Sequence, residues 1–137
     1  MAVVKELIRN EENGNISFGN YALDTKSKVS DFEHNGDLYK VKTFKEITKL
    51  ERNGMIVYES VPGTSVFDLD LEERDLAFKV EGTTSTQITL ELEAEKEYKV
   101  FLDDTNIGKM KTNLGGKLVI SADLAEDVQT FVKVVRL

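Results

Sequence analysis

The 137-residue chain has no cysteine, no tryptophan, one proline and one histidine. Without thiols there is no disulfide, no thiolate nucleophile and no cysteine-based zinc or iron–sulfur site. A lone imidazole, His34, excludes H-E-x-x-H and any scheme that needs two histidines. No apolar run approaches the roughly 20 residues that cross a bilayer. Lys5, Glu6, Arg9, Glu11 and Glu12 interrupt the start of the chain. That breaks the apolar stretch of about 7–15 residues that a secretion signal requires. The default reading is therefore a cytoplasmic protein.

Positive charge is also scarce. Lys and Arg number 18 against 25 Asp and Glu, a formal net charge of −7. Residues 1–61 hold nine basic and ten acidic side chains, a net of −1; residues 62–137 hold nine and fifteen, a net of −6. A field of that sign repels phosphate backbones and anionic lipid, so the reading is no nucleic acid and no membrane partner. Anionic substrates meet the same field. Arginine is rarest of the charged residues: Arg9, Arg52, Arg74 and Arg136 are widely spaced. A clamp on a sugar carboxylate uses clustered guanidinium forks instead. What is present, 40% hydrophobic and 31% charged residues, describes an ordinary globular protein. Area scaling gives roughly 7,000 Å² exposed when folded against about 22,000 Å² unfolded, so burial alone suffices without a staple.

Val4, Leu7 and Ile8 fall at i, i+3, i+4 and predict an amphipathic helix over 2–11, stopped at Asn13-Gly14. An extended strand is the competing reading. Ile16, Phe18 and Tyr21 to Leu23 read as short strands broken at Gly19-Asn20, and residues 24–36 as a polar, turn-rich stretch anchored by Val29 and Phe32. Residues 38–43 alternate with period two. Arg52-Asn53-Gly54 separates two β-prone runs, the strongest short hairpin signal. Beyond Pro62-Gly63 the alternation recurs around Phe78, Leu90, Val100, Ile120 and the closing run 128–135, while 66–71 is weakly patterned. The pattern predicts a mainly β protein, an antiparallel sandwich or open barrel of short strands with one short N-terminal helix. Pro62-Gly63 marks a candidate boundary between a 1–61 N-terminal β subdomain carrying the helix and a 62–137 acidic β-sandwich-like subdomain; alternatively the two form one continuous domain.

The search for chemistry excludes more than it finds. There is no G-x-S-x-G elbow, and Gly116-Lys117-Leu118 lacks the rest of a phosphate loop. Asp68, Asp70 and Glu72 fit the first positions of a calcium loop, but Glu73 and Lys79 stand where glycine and glutamate are needed. A start at Asp103 fails at Ile107 and Leu114. The reading is no metal and no cofactor, with loosely held calcium between strand loops as the alternative. Glu91, Glu93, Glu95 and Glu97 alternate as if along one wet strand face, where like charges resist edge-to-edge aggregation. His34, in Phe32-Glu33-His34-Asn35-Gly36-Asp37, reads as a surface loop residue. No catalytic residue is assigned. Of the eleven aromatics, Tyr39 and Tyr58 are the candidates for exposed rings that contact a glycan.

Four segments, Lys28 to His34, Gly36 to Glu51, Tyr58 to Gly63 and Tyr98 through Leu118, resemble a group of short bacterial proteins of uncertain function, some of which carry the label endosialidase. The resemblance covers most of the chain and implies a self-contained small protein. The label implies a glycan hydrolase.

These readings lead to a non-enzymatic β-rich binding or structural module. A glycan-associated protein, either a carbohydrate binder or an endosialidase-type hydrolase, is the alternative. The expected partner is a protein or a glycan. A homodimer through an exposed strand edge is also anticipated. Phe131 to Leu137 is the candidate edge, although an internal place for that strand is the favoured reading.

Overall fold

The computed structural model describes residues 1–71 and 75–137. Its strands, in chain order, are β1 (Ile8–Asn10), β2 (Ile16–Phe18), β3 (Ser27–His34), β4 (Asp37–Phe44), β5 (Ile47–Arg52), β6 (Met55–Val61), β7 (Ser65–Leu71), β8 (Asp75–Glu81), β9 (Ser85–Glu91), β10 (Glu97–Leu102), β11 (Thr105–Lys111), β12 (Lys117–Asp123) and β13 (Thr130–Arg136). They form two open antiparallel sheets. One runs β1-β2-β7-β8-β13-β10-β11 and the other β12-β9-β6-β5-β4-β3. Each sheet takes strands from both sides of Pro62, and one core cluster draws on Phe18, Val41, Leu50 and Tyr58 as well as Phe78, Leu90, Val100 and Val132. The accessible area of 7251 Å² agrees with the scaling expectation of about 7,000 Å².

The sheets face each other through the alternate residues that the sequence marks as apolar. In β8, β9, β10 and β12 the buried positions include Phe78, Leu90, Val100 and Ile120, with polar neighbours turned outward. Tyr58 of one sheet sits edge-on between Phe18 and Phe78 of the other, with ring centroids 5.2 and 5.7 Å away. The Asn53-Gly54 hairpin forms as expected: both residues take positive φ, 51° and 83°, as the two-residue turn requires.

Two expectations are corrected. The N-terminal helix is absent. Val4 N–H donates to Gly19 O, Leu7 turns at φ 72°, and Ile8 to Asn10 pair with β2, so the i, i+3, i+4 spacing serves a turn and a strand end. The polar stretch 24–36 contains an eight-residue strand, β3, while Tyr21 to Leu23 lies outside any strand. The C-terminal run takes the internal place that the sequence favours, and the alternative of an edge there falls: β13 is paired with β8 on one side and β10 on the other. The sheet edges are β1, β11, β12 and β3. Among the described residues, no helix is long and apolar enough to cross a membrane.

Candidate functional site

Antiparallel pairing brings the C-terminal ends of β5, β7 and β9 to the same end of the sandwich as the N-terminal ends of β4, β6 and β8. The sheets part there. A cleft of about 470 Å³ opens between them, lined by Arg52, Ile56, Asp75, Leu76, Glu91, Glu93, Tyr98 and Val134, among others. A second cavity of about 190 Å³ shares Arg52 and Leu71 with the first and extends to Asn15, His34, Asp37, Tyr39 and Asp70. Arg52 therefore stands where the two meet. It is held by the turn that follows it: Asn53 N–H donates to Leu38 O at 2.7 Å, Leu38 N–H donates to Asn53 Oδ1 at 2.9 Å, and Asn53 Nδ2 donates to Asp37 Oδ1 at 2.8 Å.

The carboxylates around the cleft differ in how they are engaged. Glu93 forms an ion pair with Arg136, and its backbone N–H donates to the Tyr98 hydroxyl at 3.2 Å. Asp75 Oδ1 accepts from the Arg136 backbone N–H at 3.3 Å. Glu91, half-buried at the end of β9, is cross-strand from Lys117. The Nε of Arg136 is buried without a hydrogen-bond partner among the described residues. Apolar floor, an arginine and several carboxylates together make a lining that takes hydrogen bonds and ring faces alike.

The residues singled out in the sequence fare differently. Tyr58 is fully buried, with its hydroxyl 2.7 Å from Thr64 Oγ1, so it is not an exposed ring. Tyr39 is also buried, 3% exposed, but it forms part of the second cavity's wall. Burial raises its phenol pKa, the neighbouring Arg52 opposes that rise, and Asp37 adds to it. His34 is not in a surface loop. It ends β3, half-buried, edge-on to Tyr39 at 5.7 Å, and is hydrogen-bonded to Asn10 and Asn35. The four glutamates do not share one strand face: Glu91 closes β9, Glu93 and Glu95 lie in the turn, and Glu97 opens β10. Of the carboxylates weighed for calcium, Asp68 accepts from Asn13 Nδ2 at 3.2 Å and Asp103 from the Phe131 N–H at 2.8 Å. Asp70 lines the second cavity, and Glu72, Glu73 and Arg74 lie outside the described residues. Among the described residues no three His, Asp or Glu side chains converge as a metal site would require. Sequence reasoning missed Arg52, Asp75 and Glu93. Arg52 carried a usable signal, as the residue just before an Asn-Gly turn.

The opposite end of the sandwich is sealed by hydroxyls. Thr48 Oγ1 donates to Thr64 O at 2.7 Å, accepts from Thr64 N–H at 3.0 Å, and lies 2.8 Å from Thr43 Oγ1. Since the Thr48 proton is already given to the carbonyl, Thr43 is the donor in that contact, and it accepts in turn from Asn20 N–H at 2.9 Å. Thr64 Oγ1 meets both Tyr58 and Ser60. Buried Glu81 accepts from Tyr21 at 2.6 Å and from Ala2 N–H at 2.7 Å.

No protein-family model, no curated protein and no solved structure matches the chain.

Proposed function

We propose that the chain is a non-enzymatic β-sandwich module that binds a polar ligand along the open-end cleft, with carbohydrate as the best-fitting class. The observation that carries this reading is the pair of neighbouring cavities that share Arg52, lined by charged hydrogen-bonding groups and apolar side chains together. Sugars present hydroxyls at the ring edge and C–H groups on the ring face, and the cleft offers a complement to both. The resemblance to endosialidase-labelled proteins points to the same ligand class. The hydrolase alternative draws on the convergence of Asp75, Glu91 and Glu93 at one cleft. Against it, two of the three carboxylates are already engaged by Arg136.

A glycan array probed with the wild-type chain and Arg52→Ala, with and without calcium, tests the reading. Loss of a charge-assisted hydrogen bond at Arg52 weakens glycan binding by at least about tenfold. An array without bound glycans removes carbohydrate as the ligand. Shortened glycans recovered from the array, abolished by Glu91→Gln, replace the binding module with the hydrolase.

A further inference from the structure

The protein's net negative charge conceals a concentrated positive face. On the outer side of β3, β4 and β5, Lys28 is directly opposite Lys42, and Lys42 is directly opposite Lys49. Lys40 lies two residues along β4 on the same side, and Lys26 reaches over the Phe44 ring, 5.8 Å from its centroid. Glu51, 3.8 Å from Lys49, is the one carboxylate paired with this group among the described residues. Like charges directly opposite one another on a sheet are destabilising. Lysines on an edge strand discourage aggregation, which accounts for Lys28 on β3. It does not account for Lys42 and Lys49, because β4 and β5 are paired on both sides. Nor does solubility, since these charges bring an acidic protein nearer to neutrality. The Lys42 ammonium has its pKa lowered, first by Lys26 and Lys28, then by desolvation and by Lys49 and Lys40. An anion laid on the face relieves that repulsion.

We infer that the β3–β4–β5 face binds a linear acidic polysaccharide, its carboxylate or sulfate groups meeting the row Lys28, Lys42 and Lys49. Strand spacing sets the lysine positions about 4.8 Å apart across the row, with Lys40 about 7 Å from Lys42 along the strand. The positive strip is narrow and bounded by acids: Glu59 continues the row beyond Lys49, Glu33 lies further along β3 opposite Leu38, and Asp31 shares a surface hollow with Lys40 and Glu51. A thread of charge follows such a strip, whereas a membrane plane also meets the carboxylates. Among the described residues the face carries no arginine fork for phosphate, and its ring, Phe44, lies under Lys26 rather than open for a base to stack. The site stands apart from the open-end cleft and does not depend on it.

The test is titration of the full chain with heparin and with polygalacturonate, with dextran as the neutral control. Parallel arms use single-stranded DNA and phosphatidylcholine vesicles containing phosphatidylserine. Binding to at least one acidic polysaccharide is expected. It should weaken at least about tenfold between about 50 and 200 mM salt, because the contacts are ionic. The double variant Lys42→Gln with Lys49→Gln should lose binding by a similar factor while its thermal midpoint stays level or rises, since a repulsion has been removed. Absence of binding to both polysaccharides overturns the proposal, as does binding that the double variant retains. Tighter binding to the DNA or to the vesicles overturns the choice of ligand. Loss of glycan-array binding in Arg52→Ala bears on the cleft alone.

Discussion

At one end of the sandwich Thr43, Thr48, Ser60 and Thr64 spend their hydroxyls on each other and on the backbone; at the other, Arg52 and Glu91 border an open cleft. The same strands supply both ends: β5 begins with Ile47-Thr48 and finishes at Arg52, and β9 runs from Ser85 to Glu91. What separates them is the reach of the side chains. Short hydroxyls let the two sheets close until those of Thr43, Thr48, Ser60 and Thr64 each find a partner, which is the condition for burying them; the buried Ser65 hydroxyl alone has none among the described residues. Longer charged groups hold the sheets apart and stay in contact with water. A binding surface and a seal can thus be made from one set of strands by changing side-chain length at their termini.

The sharpest way to break the sealed end is Gly63→Ala. A Cβ there would lie 2.0 Å from the Phe44 carbonyl oxygen, a backbone atom that cannot swing aside. A loss of about 4 kcal/mol or more in urea-induced unfolding is expected, in the range of severe backbone and packing defects. A milder and more diagnostic comparison pairs Thr48→Val with Glu91→Gln in the same assay. The first keeps side-chain shape but strips the hub from three contacts, leaving the Thr64 N–H buried without its acceptor, at a cost of about 2–3 kcal/mol. The second changes an open-end carboxylate and should alter stability by less than about 0.5 kcal/mol. Equal losses would show that the two ends are not the different environments described.

A further effect is one of pH. Burial, as the largest cause, raises the Tyr58 phenol above its ordinary value of 10.0, and burial followed by the Glu81 hydrogen bond raises Tyr21. An unfolded chain ionises these phenols near pH 10.0 while the folded chain keeps its protons. The folded state then binds more protons, so stability is full below pH 10 and falls as pH climbs above it. Tyr58→Phe should lower stability at pH 7 by about 1 kcal/mol and flatten the decline above pH 10, measured by denaturant midpoints across the alkaline range. An unchanged alkaline slope in the variant would place Tyr58 in a wetter setting than the sealed end provides.

Most strands were legible because one face is buried and the other wet, so β4, β8, β9, β10 and β12 announce themselves by alternation. In β3 and β7 legibility failed because of a bulge. In β3 the register shifts between Val29 and Phe32, with Asp31 at φ 57°, so two apolar residues three apart both point inward. In β7 the shift lies between Phe67 and Asp70, with Asp68 at φ 55°, which spoils the period-two pattern in the same way. An aspartate that tolerates positive φ is a poor signal on its own, since it reads equally as a turn. The N-terminal segment misled for another reason: three apolar residues are too few to separate a helix face from a turn entering a strand. The cleft and the lysine face were not legible because each depends on which strands are neighbours. Lys28, Lys42 and Lys49 are spread over 22 positions of sequence and become a row only through the β3–β4–β5 register.

The place of β13 bears on the order in which the molecule can be assembled. Strands β3 to β6 form a meander of successive hairpins, each able to pair with the segment made just before it. The other sheet cannot grow in that way. Its β8 and β10 are separated by the last strand of the sequence, so the β1-β2-β7-β8 half and the β10-β11 hairpin remain unjoined until Thr130–Arg136 inserts between them. On a ribosome, one sheet can begin to form while synthesis continues; the other waits for the end of the strand that bridges it, with two open edges exposed in the interval.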